Sequence, residues 1–147
     1  MKWDVTKTAN GSRHWQIMDE FPAAFLKYNH ASHSIRLSSD DKRLFFLEKT
    51  GMLHSRILLK TEYSVLAGAI HFAKDKTAGD IEVHEDKYLF HVTDNRLILL
   101  EKQKKKILAG IDINELQQLE NFELSALIFA SALVARKRKN QMDLIPG

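Results

Sequence analysis

The sequence predicts a mainly β domain: an antiparallel meander of about ten to twelve strands closed into a barrel around a hydrophobic C-terminal helix. Three observations carry this expectation. Short segments in which apolar and polar residues alternate follow one another at roughly 8–12-residue spacing, the pattern of half-buried strands. Polar turn clusters, not helical stretches, separate them. Near its end the chain turns helical, and there it is apolar almost all round.

Three strands are expected early, over Trp3 to Thr6, His14 to Met18 and Ala23 to Tyr28. Ile35 and Leu37 alternate with Ser34, Arg36 and Ser38, and Asp40-Asp41 supplies a turn. The aromatic-rich run Arg43 to Lys49 ends at Thr50-Gly51, and Leu53 to Lys60 follows with Leu53, Ile57 and Leu59 pointing one way. Leu66, Gly68, Ile70 and Phe72 alternate with Ala67, Ala69 and His71, before a polar turn over Lys74 to Gly79. The clearest hairpin comes next. Ile81 and Val83 alternate with Asp80, Glu82 and His84, Glu85-Asp86 reverses the chain, and Tyr88, Phe90 and Val92 alternate on the return. Thr93-Asp94-Asn95 leads into Arg96 to Leu100, and the charged turn Glu101 to Lys105 precedes Lys106 to Asp112.

The helical pattern begins at Asn114, a candidate N-cap with Gln117 three residues on, and Asn121 offers a second candidate cap. Glu120 and Glu123 lie early and Arg136 to Lys139 late, an order that complements the helix dipole at both ends. Between them Phe122, Leu124, Leu127, Ile128, Phe129, Leu133 and Val134 occupy nearly every angle about the axis. A surface helix keeps a polar face, so this one must be enclosed. The strands before it are what can enclose it. Leu127, Ile128, Phe129 and Leu133 should therefore be nearly inaccessible to water.

Composition fits one domain, residues 1–140 with the helix at about 121–138, and a short tail at 141–147. Hydrophobic residues make up 44% of the 147, enough for a core. Six Gly, two Pro and no Cys exclude collagen-like, low-complexity and disulfide-stapled chains, and also thiol catalysis and cysteine-held zinc. The absence of Cys fits a reducing cytoplasm. The first residues lack the apolar core of a signal peptide. The apolar run Leu124 to Ala135 falls short of the about 20 residues a membrane span needs.

A long meander closed around a hydrophobic C-terminal helix resembles the tubby C-terminal-like superfamily, with its LURP-one-related and phospholipid-scramblase-like domains. The residues carrying the likeness are His14-Trp15-Gln16-Ile17, Arg43 to Lys49, Glu62 to Ile70, Gly79 to Val83, Lys87 to Phe90 and the terminal helix. It is a likeness of pattern and order across almost the whole chain. It implies a twelve-stranded barrel and, for some relatives, phosphoinositide or other anionic membrane surfaces as the partner. Two other folds fit less well. A pleckstrin-homology-like barrel closes with an amphipathic helix, and a lipocalin-like barrel packs its helix outside, which would require a polar face.

Catalytic chemistry finds no pattern here. His30 and His33 are three apart and would converge only if the backbone turned, and no third ligand has metal-site spacing. His84-Glu85 begins like a zincin motif, but Tyr88 stands where the second His belongs and the segment is a hairpin. His71, His84 and His91 read as surface residues on polar strand faces. Asp40-Asp41 and Glu85-Asp86 fit solvated turns. Nucleophile elbows, Walker motifs and dinucleotide glycine patterns are missing. We therefore expect no enzyme, cofactor or metal.

Two basic clusters stand out: Lys102, Lys104, Lys105 and Lys106 on a hairpin turn, and Arg136, Lys137, Arg138 and Lys139 at the helix end. Such runs attract the phosphates of anionic lipid or nucleic acid. They also serve as solvated edges that discourage strand aggregation, or as a helix C-terminal stop. Nucleic acid is the weaker partner, because no aromatic platform interleaves with the lysines and net charge is only +3. The expectation is a non-enzymatic cytoplasmic module, peripheral to a membrane, that docks on anionic phospholipid or phosphoinositide surfaces. The alternative is a structural or protein-interaction domain.

Overall fold

A computed structural model describes residues 2–17, 24–38, 43–50, 56–73, 77–103 and 106–143, the side chains of 43, 117 and 137–143 excepted, and these residues form eleven strands and one long helix. The strands are β1 (Lys2–Ala9), β2 (Ser12–Ile17), β3 (Ala24–Asn29), β4 (Ser34–Leu37), β5 (Arg43–Thr50) and β6 (Arg56–Thr61). β7 (Leu66–Phe72), β8 (Ala78–Val83), β9 (Asp86–Thr93), β10 (Arg96–Glu101) and β11 (Ile107–Ile113) follow, then α1 (Asn121–Asp143). Each strand pairs antiparallel with the next, and β1 closes the barrel against β11. That seam is parallel, with Lys2 opposite Asp112 and Trp3 opposite Ile113. An odd number of alternating strands brings first and last into the same direction, so the parallel seam follows from the count. The resemblance implies twelve strands; among the described residues there are eleven.

The predicted alternation sets the inner face. Leu26 and Tyr28, Ile57 and Leu59, Ile81 and Val83, Tyr88 and Phe90, and Leu97 and Leu99 all point into the barrel and are buried. An eleven-strand barrel is wider than the about eight strands whose interior side chains alone can fill. The helix supplies the filling. Every residue from Glu123 to Ala135 is buried, with Leu127, Ile128 and Phe129 fully so. Gly68 lets the helix come close, because a β-carbon there would meet the Glu82 carbonyl at 2.7 Å and the Phe129 ring at 3.2 Å.

Several boundaries differ from the sequence expectation. β1 runs on to Ala9 because the reversal uses Asn10 and Gly11, whose φ of +80° glycine adopts freely. The β8–β9 turn is His84-Glu85, with Val83 opposite Asp86, one residue earlier than expected. His84 is thus in the turn and not on a strand face, at a φ of 57°. Leu53 and the Asp40-Asp41 turn lie outside the described residues. No α-helix starts at Asn114. Glu115 adopts a left-handed conformation and a short 3-10 turn, Leu116–Gln118, follows. The carbonyl of Glu120 accepts the Leu124 N–H at 2.9 Å, so Glu120 holds the cap position and Asn121 is the first helical residue. At its other end α1 continues to Asp143, beyond the expected 138.

Alternating strands place successive turns on alternate mouths of the barrel. The β1–β2, β3–β4 and β9–β10 turns share a mouth with the start of α1, here called the N-terminal mouth. The β6–β7, β8–β9 and β10–β11 turns share the other, C-terminal mouth with the helix end. Among the described residues no helix is long and apolar enough to cross a membrane.

Candidate functional site

At the N-terminal mouth, wall side chains grip the first turn of the helix. Glu123 is 2% exposed, and each carboxylate oxygen has its own donor: Arg13 Nη1 at 3.1 Å and Trp15 Nε1 at 2.9 Å. Glu120 accepts from the Tyr28 hydroxyl at 2.8 Å and lies 3.2 Å from His30 Nδ1. The His33 ring stacks on Phe122 with centroids 3.9 Å apart, and Lys49 Nζ sits 4.8 Å from the centre of that same ring. Deeper in the barrel Trp3 Nε1 donates to Ser131 Oγ at 2.9 Å. Among the described residues no buried side-chain nitrogen or oxygen lacks a partner.

The electrostatics follow from this packing. Burial, reinforced by the hydrogen bond to Glu120, pushes the Tyr28 phenol far above its usual range. For Glu120 burial acts upward, yet the hydrogen bonds from Tyr28 and His30 and the nearness of His30 and His33 together hold its carboxyl below the usual value. Both carboxylates are committed to the wall. This arrangement locks the helix in rotation and depth.

His30 and His33 do converge, because the backbone turns between them, with His33 at a φ of 50°. They converge on the helix start. Among the described residues no three His, Cys, Asp or Glu side chains are grouped to hold a metal ion. His71, His84 and His91 are exposed. Arg13, Tyr28 and Lys49 were not singled out from sequence as site residues. Their signal lay in the helix itself, whose buried run contains only Glu123, Ser125 and Ser131 as polar residues. Inward-facing Trp and Tyr groups need buried partners, and these few polar residues are what the helix offers.

The C-terminal mouth carries the basic clusters. Lys102 is exposed, its Nζ 3.6 Å from Asp80, and its backbone N–H donates to the Lys87 carbonyl at 3.4 Å. Lys106 is exposed, and its carbonyl accepts the Glu101 N–H at 2.9 Å to close the turn. Lys104 and Lys105 lie outside the described residues. Arg136 donates through Nε to Asp86. Lys137, Arg138 and Lys139 continue the helix, and their side chains lie outside the described residues. Asp86 and Lys87 are neighbours at the start of β9, so the two clusters meet there.

The same mouth has an apolar rim. In and after the β6–β7 turn Tyr63 is 81% exposed, Val65 60% and Leu66 56%, and Ile107 at the start of β11 is 65% exposed. Leu66 was expected to share the inner face with Gly68 and Ile70. A register shift between Leu59 and Lys60 breaks the alternation there, and Leu66 turns outward.

Compared with known proteins, the chain matches no family model, no curated protein and no solved structure.

Proposed function

We propose that this protein is a non-enzymatic binding module that docks its C-terminal mouth on anionic phospholipid or phosphoinositide surfaces at the cytoplasmic face of a membrane. The resemblance to tubby-like and phospholipid-scramblase-like barrels implies the same partner. One observation carries the reading. The meander brings Lys102 and Lys106, Arg136 of the helix and the exposed Tyr63, Val65, Leu66 and Ile107 to a single mouth. Cations near an anionic bilayer contribute about 1 kcal/mol each and draw the protein in, acting over a Debye length of roughly 8 Å. Apolar and aromatic tips then rest at the headgroup boundary, where an amphipathic ring is well accommodated.

Sedimentation with phosphatidylcholine vesicles, with and without phosphatidylserine, tests the reading. Binding should require the anionic lipid and weaken with salt. It should fall when Lys102, Lys104, Lys105 and Lys106 are all replaced by Gln. Absent binding, or binding unchanged in that variant, overturns the reading and leaves a structural or protein-interaction domain.

A further inference from the structure

The outer wall of β1–β4 aligns three cations and a histidine in one row. Lys7 stands opposite His14, His14 opposite Lys27, and Lys27 opposite Arg36. Neighbouring strands are about 4.8 Å apart, and like charges set directly opposite destabilise a sheet. A row of this kind is normally broken by an acid. Here none intervenes, and among the described residues Lys7, Lys27 and Arg36 form no ion pair, whereas Lys2, Arg13, Lys60, Arg96, Lys102 and Arg136 all do.

A groove of about 230 Å³ lies along this row, lined by His14, Phe25, Lys27 and Arg36 with Thr6 and Ser38. Phe25 sits two residues before Lys27 on the same outward face and is 48% exposed, an aromatic ring left beside the cations. The wall over β6–β9 shows the contrast. Its groove of about 280 Å³ interleaves Arg56, Lys87 and Lys102 with the acids Asp80 and Glu82, with Lys102 paired to Asp80 and Lys87 opposite Glu82.

We propose that the β1–β4 groove binds a small aryl phosphate, meaning a phosphate monoester of a single aromatic or heteroaromatic group. The phosphoryl oxygens face Arg36, Lys27 and His14, and the ring lies against Phe25. A guanidinium offers paired donors that match phosphate geometry, and an ammonium adds a point charge beside it. The groove is smaller than the roughly 300–1,000 Å³ of sites for drug-sized ligands, which limits the occupant to a phosphoryl group and one ring. This site stands on the side wall and does not depend on the docking of the C-terminal mouth.

Phenyl phosphate is the probe, with inorganic phosphate and phenol as controls, titrated into isotope-labelled protein while backbone amide shifts are followed. Saturable shifts should centre on His14, Phe25, Lys27 and Arg36, with inorganic phosphate at least tenfold weaker and phenol inert. Lys27→Gln with Arg36→Gln should weaken phenyl phosphate at least tenfold. Phe25→Ser should bring it down to the level of inorganic phosphate. These positions are outward-facing, so the unchanged remainder of each variant's spectrum reports an intact fold. The lysine-turn variant at 102 and 104–106 should bind the probe as the parent does, which separates this groove from the lipid-docking mouth. Absent saturation, equal affinity for the two phosphates, or indifference to the Lys27 and Arg36 changes would overturn the proposal.

Discussion

The two mouths of the barrel hold the same helix in opposite ways. At the N-terminal mouth Glu123 is buried against Arg13 and Trp15, while the half-exposed Glu120 meets Tyr28 and His30 at the rim. At the C-terminal mouth Arg136 meets Asp86 at a partly exposed position, while Tyr63, Val65 and Leu66 stand out in solvent. The acid at the start suits the helix dipole, but the expected cationic end does not: α1 runs on past Arg136–Lys139 to Asp143, and its last turn carries no base. What differs is the burial of one acid, complete at Glu123 and only partial at Asp86. One mouth uses its charges to fix the helix, and the other leaves them available to something outside.

The largest effect should come from breaking the first mouth. Arg13→Ala leaves the Glu123 carboxylate buried with only the Trp15 N–H for company. Stranding one partner of a buried pair costs about 3–5 kcal/mol, a large part of the about 5–15 that stabilises a domain. Arg13 is itself 31% exposed, which points to the lower end of that range. Arg136→Ala removes an exposed pair and should cost about 0–1 kcal/mol. Urea midpoints at constant slope compare the two directly. Equal small shifts would mean that the N-terminal mouth is not the anchor.

This asymmetry was only half legible in the sequence. Alternation at Ile81 and Val83 or Tyr88 and Phe90 identified inward strands, because a period of two leaves little choice of face. The all-round apolar run after Glu123 announced a central helix for an equally simple reason, since nothing in water tolerates it. Long-range pairing left a fainter trace. Glu123 read as a helix-dipole complement because its partners Arg13 and Trp15 stand 110 and 108 residues away. The basic clusters were visible as runs. That both belong to one mouth follows from β11 crossing the barrel between them and the enclosed helix crossing back.

Proton linkage separates the mouths by a second, smaller effect. Burial first, then the Glu120 hydrogen bond, raises the Tyr28 phenol well above its usual value. Near the other mouth burial first, then the Asp86 charge, pushes Tyr88 up to about 12, with Arg136 partly opposing. A raised folded pKa contributes stability below the unfolded pKa of about 10, and that contribution is lost as pH climbs beyond it. Thermal stability should therefore decline above about pH 10, and Tyr28→Phe should flatten the decline more than Tyr88→Phe. On the acid side Glu120 has a lowered carboxyl pKa, so its contribution is present above about pH 4.3 and fades as pH falls through the folded value. Glu120→Gln should remove that acid limb. An alkaline decline governed by Tyr88 would place the tighter mouth at the wrong end.

The smallest change in stability should accompany a gain in binding. Asp86 accepts from Arg136, and their side chains are 47% and 34% exposed. Asp80 lies 3.6 Å from Lys102, with both side chains 48% exposed. Each carboxylate cancels a cation that the docking reading assigns to the bilayer. Asp86→Asn keeps the side-chain size and a hydrogen-bonding oxygen for Arg136 but removes the charge. Exposed pairs contribute about 0–1 kcal/mol, so the urea midpoint should barely move. The released charge near an anionic surface is worth about 1 kcal/mol, which strengthens partition onto phosphatidylserine vesicles about fivefold at low salt. Asp80→Asn should act in the same direction, and the two together should add, because they neutralise separate cations. Raising the salt should erase both gains, since a Debye length of roughly 3 Å at 1 M leaves little for an exposed charge to act through. A partition that ignores both substitutions at low salt would mean that Arg136 and Lys102 do not face the lipid. The C-terminal mouth would then be an open end of the barrel and not its docking face.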